Sequence, residues 1–178
     1  SSLIFHTHFF IISLRNTFRL ENTEIMKNLV IGQSGGPTAV INASLYGAVK
    51  AFRESGADGH VLGMINGIEG FLADHVMDLS TDLSDKELEL LKLTPAAYLG
   101  SCRYKLPADL DSEVYPAIFD NFREMNIGYF LYVGGNDSMD TVDKLSRYAE
   151  KIGSDVKFIG IPKTIDNDLV LTDHTPGF

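Results

Sequence analysis

The chain has 178 residues, 44% of them hydrophobic and 22% charged, with a formal net charge of −9. That balance suits one globular domain with a buried core, and the acidic excess argues against a nucleic-acid partner, which needs a basic face. Anionic small molecules stay open, because helix N-termini and a few local cations bind phosphate on acidic proteins. The single cysteine, Cys102, rules out an internal disulfide framework. It reads as an inert loop thiol and suits a reducing cytoplasm.

Residues 1–25 stand apart. Their apolar run, residues 3–14, is broken by His6, Thr7 and His8 and falls short of the ~20 apolar residues that span a bilayer. No basic region precedes it and no small-residue cleavage pattern follows, so neither a membrane anchor nor a signal peptide is expected. Met26-Lys27-Asn28 leading into Leu29-Val30-Ile31-Gly32 reads as a natural start. Residues 1–25 are therefore expected to be a non-native or disordered extension, and residues 26–178 one α/β domain. The closing Asp173-His174-Thr175-Pro176-Gly177-Phe178 is turn-rich, so that domain is expected to be truncated within a larger protein.

Residues 28–32 form a β-branched apolar run ending at glycine, which predicts a buried strand. Ser34-Gly35-Gly36-Pro37 then turns into a helix over residues 38–55, where Val40, Ile41, Leu45, Ala48 and Phe52 share a face and Gly56 stops the helix. Residues 60–65 predict a second strand and Gly67–Leu72 a short helical turn. A polar connection, residues 78–84, leads to a helix over residues 85–93 with Ser84 as its N-cap. Residues 98–107 predict a loop, and residues 113–125 a helix. Strands at residues 128–133 and 157–161 flank a charged amphipathic helix, residues 138–152, closed by Gly153. Strands alternating with helices predict a doubly wound, mostly parallel sheet with helices on both faces.

Three of these strands end in segments rich in Gly, Thr, Lys and Asp. Ligands collect at the strand ends of such sheets, so one phosphate-handling cleft is expected from three distant pieces. In the first, the amides of Ser34, Gly35 and Gly36 can converge on an anion at a helix N-terminus, although neither a Walker A sequence nor GxGxxG is present. A plain tight turn explains the same residues. In the second, Gly134 and Gly135 permit close backbone approach, and Asn136 offers a carbonyl oxygen to a hard cation. Asp137 repels a phosphate unless a cation intervenes; simple N-capping by Asn136, Asp137 or Ser138 competes with this reading. In the third, Pro162-Lys163-Thr164-Ile165-Asp166-Asn167-Asp168, an extended chain projects Thr164, Asp166 and Asp168 to one side. Paired carboxylates separate each other's pKa, so one can serve as a base, while Lys163 supplies a compact cation for a phosphoryl oxygen; a solvated Asp-Asn-Asp turn is the competing view. Arg103, beside Tyr104 and Lys105, is a candidate anion clamp or a plain surface arginine.

Together SGGPTAVINA (residues 34–43), GGNDSMDT (134–141) and PKTIDND (162–168), followed by TDHTPGF, closely resemble the 6-phosphofructokinases, and within them the pyrophosphate-dependent branch. The resemblance runs from Met26 to Phe178 in matching order. It implies phosphoryl transfer from pyrophosphate to the 1-hydroxyl of fructose 6-phosphate, reversible because pyrophosphate is about as energetic as the product ester. It further implies Gly35, with Gly36 and Gly135, at the donor phosphates, Arg103 near them, and Asp166 as the general base. Thr164, Ile165, Asp166 and Asp168 fall in the sugar-phosphate stretch. ATP-using members resemble GGDGS and PGTIDND; this chain carries Asp137 and Lys163 where those have glycine. The resemblance thus implies that Asp137 obstructs a nucleotide and Lys163 stabilises the pyrophosphate being split. Asn136 departs from the aspartate common at the magnesium-associated position, so Mg²⁺ is expected to arrive mainly with the donor. A cytoplasmic, homo-oligomeric full-length parent is implied, the fragment alone having little turnover. An ATP-dependent 6-phosphofructokinase, a more distant NAD or lipid kinase, and an inactive donor-binding fragment are the alternatives.

Overall fold

A computed structural model describes residues 27–163 and residue 173. It has five strands, β1 (Asn28–Gln33), β2 (Val61–Met64), β3 (Val76–Asp78), β4 (Ile127–Gly134) and β5 (Lys157–Pro162). Five helices accompany them: α1 (Ile41–Ser55), α2 (Gly67–Leu72), α3 (Asp85–Leu91), α4 (Val114–Glu124) and α5 (Asn136–Ile152). The strands form one sheet in the order β3-β2-β1-β4-β5, parallel except for β3 against β2. The doubly wound expectation holds.

Successive strand residues point to opposite faces, and each face has its own core. Leu29 and Ile31 of β1, with Leu131 and Val133 of β4, pack under α1 and α3 through Ile41, Leu45, Val49, Leu88 and Leu91. Val30, Phe130 and Tyr132 pack on the other face against α2, α4 and α5 through Phe71, Tyr115, Phe122, Leu145 and Tyr148. Because β1 and β4 are buried on both sides, they read as continuous apolar runs.

The helix ends follow local chemistry. Gly56 and Gly153 close α1 and α5 in the left-handed region, at φ 73° and 68°, where a side chain would be strained. Ser84 accepts from the Glu87 amide while the Glu87 carboxylate accepts from the Ser84 amide, a reciprocal cap on α3. Three elements differ from expectation. Helix α1 starts at Ile41, because residues 38–40 make a turn in which the Ile41 amide donates to the Thr38 carbonyl. Helix α5 starts earlier, at Asn136. Strand β3 was not anticipated, only its last residue, Asp78, falling in the expected polar connection; three residues carry too little alternation to announce a strand, and its pairing with Leu62–Met64 creates it.

Candidate functional site

The chain leaves β1 through α1 on one face and then β2, but leaves β4 through α5 on the other face and then β5. The ends of β1 and β4 therefore border the crevice where the winding reverses, the usual ligand position in such sheets. Backbone bonds knit three segments together there. The Ser34 amide donates to the Val133 carbonyl at 2.9 Å, and the Lys163 amide to the Gly134 carbonyl at 3.0 Å. The first, second and third motifs therefore meet, as far as Lys163.

Lys163 lies with its Cε 3.4 Å and Nζ 3.8 Å from where a Cβ on Gly35 would stand. Gly35 has φ +78°, so a side chain there is strained as well as crowded. Lys163 is only 7% exposed, and burial pushes its amine below the usual lysine range. Among the described residues its amine has no ion pair or hydrogen bond. A cation on a largely desolvated side chain is costly without a partner, and an anion beside Gly35 would offset that cost.

Helix α5 adds its positive end. Its N-cap is Gly135, extended at φ −86°, and no side chain caps it; the capping alternative for Asn136, Asp137 and Ser138 is not realised. Asn136 and Asp137 are exposed, and Asp137 Oδ1 pairs with Lys105 Nζ at 3.0 Å. Ser138 turns inward instead. A Cβ on Gly134 would stand 1.9 Å from its Oγ, so the tight seating of α5 on β4 alone accounts for that glycine. Gly36 is exposed and open, with nothing within 4 Å of a Cβ position.

The loop at residues 98–107 lies over the first turn. Ser101 Oγ donates to the Gly35 carbonyl at 2.6 Å, and Ser34 Oγ to the Cys102 carbonyl at 3.2 Å. Arg103 follows directly, exposed and without a salt bridge among the described residues, so the turn and the proposed clamp are neighbours. Behind the turn sits Tyr132, whose hydroxyl is 3.7 Å from the Cys102 thiol. Burial pushes that phenol well above its ordinary range. Cys102 itself is buried, 6% exposed, in keeping with an inert thiol.

Residues 28–178 match the family model described as Phosphofructokinase. This chain belongs to the phosphofructokinase family. It is 45% identical over 150 residues to a Rhodospirillum rubrum protein named pyrophosphate–fructose 6-phosphate 1-phosphotransferase, covering 84% of this chain and 36% of that one. A protein of the same name from Halomonas elongata is 45% identical over 154 residues, covering 85% and 36%. The structure resembles the pyrophosphate-dependent phosphofructokinase of Nitrosospira multiformis with a TM-score of 0.76 at 42% identity, over 86% of this chain and 38% of that one. Relatives named ATP-dependent 6-phosphofructokinase are more distant, at 30% identity. The chain thus spans about a third of the length of these curated relatives.

Of the phosphofructokinase motif residues, the structure brings Gly35, Gly135, Lys163 and Arg103 to one end of the sheet, with Gly36, Asn136 and Asp137 at its rim. Thr164, Ile165, Asp166 and Asp168 lie outside the described residues. Sequence reasoning missed two polar residues that shape this end. Gln33, fully buried, donates from Nε2 to the Ile41 carbonyl and to Asn42 Oδ1, and accepts at Oε1 from the Leu99 amide at 2.9 Å. Asn42, 1% exposed, donates to the Thr94 carbonyl and accepts from the Tyr98 amide. The pair ties the loop to the end of β1. The available signal was a glutamine closing an apolar strand and an asparagine on the apolar stripe of α1.

Proposed function

We propose that this chain is the donor-binding part of a pyrophosphate-dependent 6-phosphofructokinase. The whole enzyme moves a phosphoryl group from pyrophosphate to the 1-hydroxyl of fructose 6-phosphate, reversibly. The observation that carries the reading is Lys163, a lysine only 7% exposed whose amine lies against the Gly35 turn at the winding reversal with no partner among the described residues. The names of the relatives at 45% identity point the same way.

Phosphoryl transfer needs positioning and charge stabilisation more than covalent chemistry. The Gly35 turn and the uncapped end of α5 hold the donor by backbone amides, and Arg103 closes over it from the loop. A donor anion favours the charged form of Lys163 and offsets the cost of burying it. Asp137, in the first turn of α5, takes up space that a nucleotide would need. Asp166 is the base that accepts the hydroxyl proton and returns it in the reverse direction; Thr164, Ile165 and Asp168 complete the sugar-side stretch.

Magnesium fits this donor set. Among the described residues no three His, Cys, Asp or Glu side chains cluster, and Mg²⁺ characteristically keeps its waters and binds through substrate phosphates and one or two protein oxygens. Asn136 would offer such an oxygen, and the ion, arriving with the donor, would supply charge neutralisation there. No helix among the described residues is long and apolar enough to cross a membrane. A cytoplasmic location and a homo-oligomeric assembly of the full-length enzyme belong to the same proposal.

The test is a donor assay on the full-length protein with fructose 6-phosphate and Mg²⁺. The proposal expects kcat/KM for pyrophosphate to exceed that for ATP by about a hundredfold or more, some 2.7 kcal/mol of transition-state preference. Equal use of both donors, or ATP alone, defeats it.

A further inference from the structure

The loop over the first turn is held at both ends without any help from its charged side chains. Upstream, Ser101 and Cys102 are bonded to Gly35 and Ser34. Downstream, Lys144 Nζ donates to the Leu106 carbonyl at 3.0 Å and the Tyr115 hydroxyl to the Pro107 carbonyl at 2.5 Å. Between these anchors Lys105 reaches across to Asp137 in the first turn of α5, at 3.0 Å. Both side chains are about 70% exposed, at 70% and 72%, and an ion pair in that setting contributes little to stability. Its effect falls on the electrostatics of the place where it sits. Asp137 puts a full negative charge two residues from the N-cap of a helix whose end is proposed to receive a diphosphate. Alone it would cancel the helix's positive end, roughly half a charge, and repel the donor.

We propose that Lys105 is a specificity-determining residue that neutralises Asp137, so that the aspartate excludes a nucleotide by its bulk without repelling the smaller, highly charged diphosphate. Lys105 acts through Asp137 and not by touching the donor. The inference rests on the proposed donor site and goes beyond it by naming the residue that makes an acidic side chain tolerable there.

A double-mutant cycle on the full-length enzyme tests this. Lys105→Met should raise the KM for pyrophosphate about 3- to 10-fold, the size of one unscreened charge acting on a multivalent anion in water. kcat and the KM for fructose 6-phosphate should stay near wild type, and the defect should shrink in 0.5 M KCl. Asp137→Asn alone should lower the pyrophosphate KM modestly, and adding it to Lys105→Met should restore that KM to near the wild-type value. A double variant as impaired as Lys105→Met would mean that Lys105 grips the donor directly, and overturns the proposal. An unchanged KM in Lys105→Met, or a fall in kcat together with a lowered melting temperature, overturns it too. If the wild-type enzyme turns over with ATP alone, the pyrophosphate reading fails separately. The same cycle read on the KM for ATP then decides whether Lys105 balances Asp137.

Discussion

Replacing Gln33 by methionine removes three hydrogen bonds from the base of the site while preserving side-chain length. The Leu99 amide, on a residue 1% exposed, loses its acceptor, and a buried donor left without a partner costs about 1–3 kcal/mol. The Ile41 carbonyl loses a bond at 3.1 Å and Asn42 Oδ1 one at 3.0 Å, but Asn42 Oδ1 still accepts from the Tyr98 amide. Those two losses add about 1 kcal/mol together, offset partly because methionine needs no partner of its own. The expected destabilisation is about 2–4 kcal/mol. Urea denaturation of the chain, followed by far-ultraviolet circular dichroism and tyrosine fluorescence in this tryptophan-free sequence, would read it as a lower midpoint with an unchanged slope. In the full-length enzyme the loosened loop should also weaken donor binding, because Ser101 and Arg103 follow Leu99 closely. A loss below about 0.5 kcal/mol would refute the view that this network holds the loop to β1.

Lys163→Met should abolish most phosphoryl transfer, by about 10²- to 10³-fold in kcat, with the fold retained in circular dichroism. Burial lowers the Lys163 pKa, so between the folded value and 10.5 the unfolded chain binds the extra proton and stability rises with pH; below that window the buried ammonium is a standing penalty. Lys163→Met should therefore be more stable than wild type at neutral pH, and pyrophosphate should no longer raise its melting temperature. Tyr132 has the opposite linkage. Its raised pKa leaves the folded chain protonated where the unfolded chain has ionised, so stability should fall as pH climbs past about 10. Tyr132→Phe should flatten that alkaline limb in melting curves taken from pH 8 to 11; an unchanged limb would mean the phenol reaches solvent.

Much of the fold was legible because its signals are local. The apolar runs of β1 and β4 are buried on both faces, Gly56 and Gly153 stop helices at positive φ, and Ser84 caps α3 with atoms three residues away. The convergence of the glycine turns follows from strand order, which alternating strands and helices already imply. What escaped depends on partners far along the chain. Strand β3 exists through its pairing with β2. The Gln33–Leu99 bond spans 66 residues, and Lys105 finds Asp137 only once the loop has been pinned over α5. The uncapped start of α5 was unreadable for a related reason: Asn136, Asp137 and Ser138 are all good caps in isolation, yet Ser138 is drawn inward beside Gly134 and Asp137 outward to Lys105.

The account turns on whether the Lys163 amine and the Gly35 turn receive the donor. A structure of the full-length enzyme with Mg²⁺ and methylenediphosphonate, a non-hydrolysable diphosphate, tests that directly. A phosphonate oxygen within about 3 Å of Lys163 Nζ, with the group against the Gly35 turn and the start of α5, is the predicted result. A diphosphonate bound elsewhere, leaving that amine without an anionic partner, would contradict it.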